Sequence, residues 1–286
     1  IRKFKCMKII ELLNSGSQIL RNNNIKTYRL DTELVLSKVL KKKREELLIN
    51  MDKKIDHKKV ALFNALINRR LFKEPIAYIL EEKEFWSKAF YVDKNTLIPR
   101  PETEIMVEKL VNVFEGKAIK ILDIGTGSGC IIISLVSELK RSKGLGIDIS
   151  KKAINIAKKN SFEHGLSNRI KFLNMSFSQI FNNKFDLIVS NPPYIKSCEM
   201  KNLIDDIKLY EPKIALDGGN DGLDLIRKVI YKTKNILKIK GMLALEIGNE
   251  HYKKVSKILK GNDYKIEDVI FDYKNNIRFI FSKLVS

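Results

Sequence analysis

From Ala118 onward the chain alternates short apolar β-type runs with helical stretches: IKILDI, CIIISLVSELK, GLGIDI, KKAINIAKKN, IKFLNM and FDLIVS. No other feature restricts its fold so strongly. Two strands joined through a helix run parallel, and the helices then cover both faces of the sheet. The pattern continues with a helix over about 223–239, a strand MLALEIG and a helix over about 251–259. It closes with DYKIEDVIF and IRFIFSKL, which the hairpin-type link DYKNN separates. Upstream, residues from Met7 to Leu80 place apolar side chains at helical spacing, as in TELVLSKVL and VALFNALINRR, with almost no Gly or Pro. Between Glu81 and Pro101 aromatic and β-branched residues alternate and two prolines close the segment, which predicts a hairpin linker. No internal repeat is evident.

The first β-type run ends in Asp123-Ile124-Gly125-Thr126-Gly127-Ser128-Gly129. Glycines at the end of a strand let the backbone approach a nucleotide-like ligand before the helix starts. The spacing is G-x-G-x-G, with no basic residue after it to meet a phosphate, so an adenosyl ligand with an amino acid head fits better than a dinucleotide. The next strand ends at Asp148, where a carboxylate can accept hydrogen bonds from both ribose hydroxyls; the alternative role is helix N-terminal, ahead of Ser150. Asp123 either helps to place the ammonium of the amino acid head or braces the glycine loop.

At the end of FDLIVS stands Asn191-Pro192-Pro193-Tyr194. This segment points to methyl transfer onto a planar nitrogen. The lone pair of an amide or exocyclic amine is delocalised, so such a nitrogen must be held in position rather than deprotonated. The Asn191 side-chain oxygen and the Pro192 carbonyl offer two acceptors for the two N–H bonds of an NH2 group. Tyr194 adds an aromatic face on which a flat amide or base can stack. The structural alternative is a rigid Asn-Pro turn.

With EPIAYI at 74–79, EFW at 84–86, LIPRPETE at 97–104, DIGTGSG, GIDIS, VSNPPYI and YEPKIALDGGNDGLD at 210–224, nearly the whole chain resembles the HemK/PrmC methyltransferases. Those enzymes act on the glutamine of the Gly-Gly-Gln motif in bacterial class I peptide chain release factors. The resemblance implies a class I, Rossmann-like α/β domain with a seven-stranded sheet, dependent on S-adenosylmethionine, over residues 101–286. It is preceded by a small helical substrate-recognition domain over 1–82 and a β-hairpin linker over 83–100. The cofactor is then expected on Asp123, Gly125, Thr126, Gly127, Ser128, Gly129, Asp148 and Asn191. The glutamine is expected on Asn191, Pro192, Pro193 and Tyr194, with Arg100 and Glu102 in the segment that closes over both. The product is S-adenosylhomocysteine and no metal is required. The implied partners are release factors, with ribosome association a further option, and the implied setting is the cytoplasm, as a monomer. In many relatives the strand after Asp148 ends in an acid that can accept from the adenine amino group; here Met175 follows Asn174. The Ser176 backbone N–H is the group expected to meet the adenine, with Met175 packing against it.

A net charge of +20 raises the competing possibility of a nucleic-acid amine methyltransferase acting on adenine N6 or guanine N2. Lysines are spread along the whole chain, however, and no dedicated nucleic-acid site is expected. The densest run, Lys41 to Arg44, reads as a solvated helix face. Cys6, Cys130 and Cys198 lack paired spacing, which argues against a disulfide framework or a zinc site. The longest apolar stretch, CIIISLVSEL, is too short to span a bilayer, and no targeting segment is visible. The chain starts at Ile1 rather than methionine, and no function is drawn from that. His57, His164 and His251 coincide with none of the motifs and read as structural or surface residues.

Overall fold

The computed structural model describes residues 6–180 and 184–285. They form two compact units, one of residues up to Glu82 together with Ile204–Tyr210, the other of Lys83–Leu203 and Glu211–Ser286.

The first unit is helical: α1 (Ile9–Asn22), α2 (Tyr28–Leu40), α3 (Arg44–Ile49), α4 (His57–Leu71) and α5 (Ile76–Leu80). A two-residue strand β1 (Met7–Lys8) pairs antiparallel with β2 (Lys54–Ile55), which sequence periodicity does not reveal. Helix α4 starts where the Asp56 carboxylate accepts from the Lys58 and Lys59 N–H groups, at 3.0 and 3.1 Å. Its apolar face, including Val60, Phe63 and Ile67, joins Leu12, Leu36 and Leu47 in one core. The buried Arg70 is neutralised by Asp31 at 2.7 Å and by Asp206 of the Ile204–Tyr210 segment at 2.8 Å. The run Lys41 to Arg44 is the junction of α2 and α3 and not a helix face. Lys41 adopts a left-handed conformation (φ 53°), and Lys42 pairs with Glu46 at 2.8 Å.

The second unit opens with the hairpin β3 (Lys83–Phe85) and β4 (Lys88–Phe90), followed by α6 (Thr103–Phe114). Then come β5 (Lys120–Ile124), α7 (Cys130–Glu138), β6 (Lys143–Asp148), α8 (Lys151–Glu163), β7 (Ile170–Asn174) and β8 (Phe185–Ser190). After a short helix α9 (Asp205–Tyr210), which groups with the first unit, follow α10 (Asp224–Ile236), β9 (Leu237–Glu246), α11 (Tyr252–Lys260), β10 (Tyr264–Phe271) and β11 (Ile277–Leu284). The seven-stranded sheet has the order β10-β11-β9-β8-β5-β6-β7. Strands β5 to β9 run parallel to one another, and β11 is antiparallel to both β9 and β10. This is the seven-stranded α/β methyltransferase fold. Two apolar cores lie on its two faces, one with Ile132, Leu135 and Phe279, the other with Ile188, Ile226 and Leu243. Strand β9 begins five residues earlier than its periodicity suggests, and α10 ends correspondingly sooner. Leu237 is fully buried where it pairs with Phe185, while Ile239 is 68% exposed, so sheet pairing overrides helical spacing.

From β5, next to the central strand β8, the chain proceeds outward through β6 and β7 before crossing back to β8 on the other side of β5. At such a switch point the loops leaving adjacent strands diverge and open a crevice at their carboxyl ends. Here those loops are the glycine loop after β5 and the NPPY segment after β8.

Candidate active site

Ile124 and Ser190, the last residues of β5 and β8, are register partners, and the Ser190 hydroxyl donates to the Ile124 carbonyl at 2.8 Å. DIGTGSG and NPPY therefore emerge side by side. A cavity of about 750 Å³ opens beside them. Gly125, Gly127, Asp148, Ser176, Asn191, Pro192 and Pro193 line it, joined by Met175, Phe177 and Ser178 after β7 and by Leu225 and Lys228 of α10.

The glycine loop is held from behind. The N–H groups of Gly125 and Thr126 both donate to the Ile147 carbonyl at 3.0 Å, and the Gly127 N–H donates to Asp148 Oδ2 at 3.0 Å. Gly125 and Gly127 have φ of 72° and 55°, and a Cβ on either would meet nothing closer than 4.0 Å. The positive φ requires glycine, and the open space in front leaves the backbone bare toward a ligand. An adenosyl ligand with an amino acid head suits this cradle and the cavity's size.

Asp123, Thr126, Ser128 and Gly129, expected on the cofactor, form the base of the loop and do not line the cavity. Asp123 is fully buried and accepts from the Thr126 hydroxyl at 2.7 Å, so it braces the loop. Its Oδ1 has no partner among the described residues. Burial pushes the Asp123 carboxyl up to about 7. A pKa raised by folding means that the folded chain holds this proton more tightly than the unfolded one. The associated stability is complete below the unfolded value of about 4 and is lost as pH rises through about 7. In urea titrations, Asp123→Asn is accordingly expected to flatten the fall in stability across that window. A slope equal to that of the parent protein would refute the assignment.

Asp148 takes the helix N-terminal role and also holds the glycine loop. Oδ1 accepts from the Ser150 N–H at 2.8 Å, where α8 begins, while Oδ2 holds Gly127. Burial raises its pKa. Asp148 lines the cavity, and a carboxylate oxygen that already accepts one hydrogen bond has capacity for a second.

Among the described residues, the Asn191 side chain has no hydrogen-bond partner and the Pro192 carbonyl accepts no hydrogen bond. Both are thus available to a ligand. Behind them, the segment Leu216–Gly222 clamps the loop: Ile195 N–H donates to the Leu216 carbonyl at 3.0 Å and Gly218 N–H to the Ile195 carbonyl at 2.8 Å. A Cβ on Gly222 would come within 2.4 Å of the Tyr194 carbonyl oxygen. This gives the GGNDG part of the sequence a structural reason.

Four of the expected site residues make the following contacts within the fold. Tyr194 does not line the cavity; the Arg278 guanidinium carbon stands 4.6 Å from its ring centroid and the same group bonds its hydroxyl. Its hydroxyl also lies 3.5 Å from Glu246, and burial, then the Glu246 charge, push its pKa up to about 12. Arg100 and Glu102 are likewise off the cavity wall. Arg100 pairs with the buried Glu211 at 2.7 Å, and Glu102 precedes the first turn of α6. The Ser176 N–H, expected to meet adenine, donates instead to Gln179 Oε1 at 2.8 Å in a capping box.

Sequence reasoning missed the Lys94–Leu97 segment and α10 as cavity walls. Leu225, Lys228 and Lys232 fall at helical spacing on one face of α10, a signal that cannot be told from an ordinary amphipathic face until its packing is known. His251 is buried against the clamp, as a Cβ on Gly222 would lie 2.8 Å from its ring. Among the described residues, no group of three or more His, Cys, Asp or Glu is placed to hold a metal ion, and no helix is long and apolar enough to cross a membrane.

A family model described as the PrmC N-terminal domain matches residues 11–80, and one described as a methyltransferase domain matches residues 115–276. The release factor glutamine methyltransferase of Clostridium acetobutylicum is 40% identical over 262 residues, spanning 90% of this chain and 92% of that protein. The protein of the same description from Buchnera aphidicola is 42% identical over 250 residues, spanning 87% and 89%. Among solved structures, a methyltransferase from Pyrococcus furiosus covers 77% of this chain and 98% of its own with a TM-score of 0.54. At 18% identity that likeness speaks to the fold alone.

Proposed function

Because the chain belongs to the family of release factor glutamine methyltransferases, an S-adenosylmethionine-dependent group, we propose that it methylates N5 of the glutamine in the Gly-Gly-Gln motif of class I peptide chain release factors. Tuning of translation termination in the cytoplasm would follow from that activity. The observation that carries this reading is the unengaged pair of acceptors, the Asn191 amide oxygen and the Pro192 carbonyl, set beside the bare glycine loop at the switch point.

S-adenosylmethionine supplies a methyl group on a positively charged sulfur, and S-adenosylhomocysteine departs as a neutral thioether. Gly125 and Gly127 admit the amino acid end of the donor, Asp148 accepts from the ribose hydroxyls, and Met175 with Phe177 packs the base. Asn191 and Pro192 accept the two N–H bonds of the glutamine amide and fix its nitrogen in line with the methyl group. Such positioning contributes roughly 7–11 kcal/mol to lowering the barrier in a favourable case. As the nitrogen gains positive charge the same two oxygens stabilise it, in the manner of an oxyanion hole with the sign reversed. The proton leaves after transfer, once the nitrogen is more acidic. Tyr194 and Arg100 act here as positioning residues, through Glu246 and Glu211 respectively. Residues 1–82 are assigned to recognition of the protein substrate, with 83–100 as the linker, and the enzyme is taken to act as a monomer without a metal.

The net charge of +20 supports methylation of a nucleic-acid amine as the second reading. Purified protein with labelled S-adenosylmethionine is offered a release factor, the same factor with Ala in place of the Gly-Gly-Gln glutamine, and total RNA. Label on the unaltered factor alone is expected. Equal label on the Ala form would refute glutamine as the acceptor, and label on RNA would transfer the assignment to the second reading.

A further inference from the structure

Asn160 of α8 lines no part of the cavity, yet it holds the segments that lead into two of its walls. It is buried, and its Nδ2 donates to the Ser128 carbonyl at 2.8 Å and to the Tyr91 carbonyl at 3.0 Å, while Oδ1 accepts from the Tyr91 N–H at 2.8 Å. Both hydrogens of its amide are thereby used. The first half of the glycine loop hangs on β6, through Ile147 and Asp148. Its second half hangs on α8. Among the described residues the Ser128 carbonyl accepts from Asn160 alone, and a Cβ on Gly129 would lie 3.3 Å from the Ala157 Cβ, one turn before Asn160. Tyr91 follows β4 and leads through the buried Val92 into a tight turn. There the Asp93 carboxylate accepts from the Asn95 N–H at 2.7 Å and the Asp93 carbonyl from the Thr96 N–H at 3.0 Å. That turn carries the Lys94–Leu97 wall.

We propose that Asn160 is a positioning residue for the methyl donor, locking the glycine loop and the Lys94–Leu97 wall to one point so that the cavity is shaped before the donor arrives. Without it each wall samples other arrangements, and only molecules with both walls in place can bind. The apparent dissociation constant then rises by the inverse of that fraction. The acceptor side of the site is held by a separate part of the fold, since Asn191 and Pro192 precede the Ile195 anchor on Leu216 and Gly218. Once the donor is seated the walls are in place again, and transfer proceeds as in the parent protein. The loss therefore falls on donor binding and not on turnover.

This inference rests on the S-adenosylmethionine reading above. Asn160→Ala is expected to raise KM for S-adenosylmethionine, and the calorimetric Kd for S-adenosylhomocysteine, about tenfold or more, equivalent to about 1.4 kcal/mol. At saturating donor, kcat should stay within about threefold of the parent value. Asn160→Asp keeps the volume and the acceptor for the Tyr91 N–H, but turns an oxygen toward the Ser128 and Tyr91 carbonyls, and the same rise in KM is expected. A side chain that served stability alone would shift the urea melt and leave KM of the folded protein as it was. KM unchanged in either variant, or a loss confined to kcat, would overturn the inference. Should neither variant fold, the parent protein gives an independent reading by hydrogen exchange. The Asn160 side-chain amide is expected to slow on saturation with S-adenosylhomocysteine by a larger factor than the core amides of β8, and equal slowing would overturn the inference. Failure of the parent protein to bind S-adenosylhomocysteine would instead overturn the cofactor reading, and the inference with it.

Discussion

Asn191→Ala is expected to lower kcat for release factor methylation by about 10²–10³-fold, the cost of deleting one preorganised group aimed at developing charge. The Asn191 side chain makes no hydrogen bond to other described residues, so its removal strands no buried partner. The loop itself is held from elsewhere, by the Ile195 bonds to Leu216 and Gly218 and by Ser190 on Ile124. Stability should therefore stay close to that of the parent protein while turnover collapses. Single-turnover methylation paired with a urea melt separates the two effects. Near-normal turnover with an unchanged melt would remove Asn191 from the chemistry.

The second large effect is one of stability. Glu246, at the end of β9, is fully buried and joins three elements: Thr103 at the start of α6 donates to it at 2.7 Å, Arg278 of β11 at 3.0 Å, and the Tyr194 hydroxyl stands 3.5 Å away. Burial raises its pKa, and Arg278 opposes that rise. Glu246→Ala leaves a largely buried guanidinium without its counter-ion, a type of loss that costs ~3–5 kcal/mol. Tyr194 would lose the acid that fixes its position, so activity should fall together with stability. Glu246→Gln keeps an acceptor for Thr103 and Arg278, and its loss should be clearly smaller. Equilibrium urea unfolding measures both; equal losses for Ala and Gln would mean that the acceptor kept by Gln contributes nothing and that the charge of Glu246 accounts for the whole loss.

These two residues differ in how far they were legible beforehand. Asn191 announces itself because NPPY closes an apolar strand downstream of a glycine loop, and local chemistry suffices to suggest what its amide does. Glu246 sits in MLALEIG, which reads only as a strand. Its partners lie 32, 52 and 143 positions away in the chain. No spacing rule connects residues so distant, and only the folded sheet brings them to one point. The revised role of Tyr194 has the same origin. Its aromatic face looked available for stacking until β11 laid Arg278 against it.

Alternation of apolar runs with helical stretches, glycines after the first strand, an acid after the second and NPPY after the fourth were enough to determine the sheet, its class of ligand and the residues at its carboxyl edge. Those are local properties: strand and helix periods repeat every two to four residues, and a glycine with positive φ carries its reason with it. Only the tertiary structure decided which of these groups reach the cavity, as Gly127 and Asn191 do, and which are spent beneath it, as Asp123 and Tyr194 are. It alone also decided that α10 and the Lys94–Leu97 segment complete the walls. The physical reason is hydrogen-bond saturation and packing. A polar atom is free for a ligand only if nothing else in the fold has claimed it, and the claimants come from strands and helices far away in the chain.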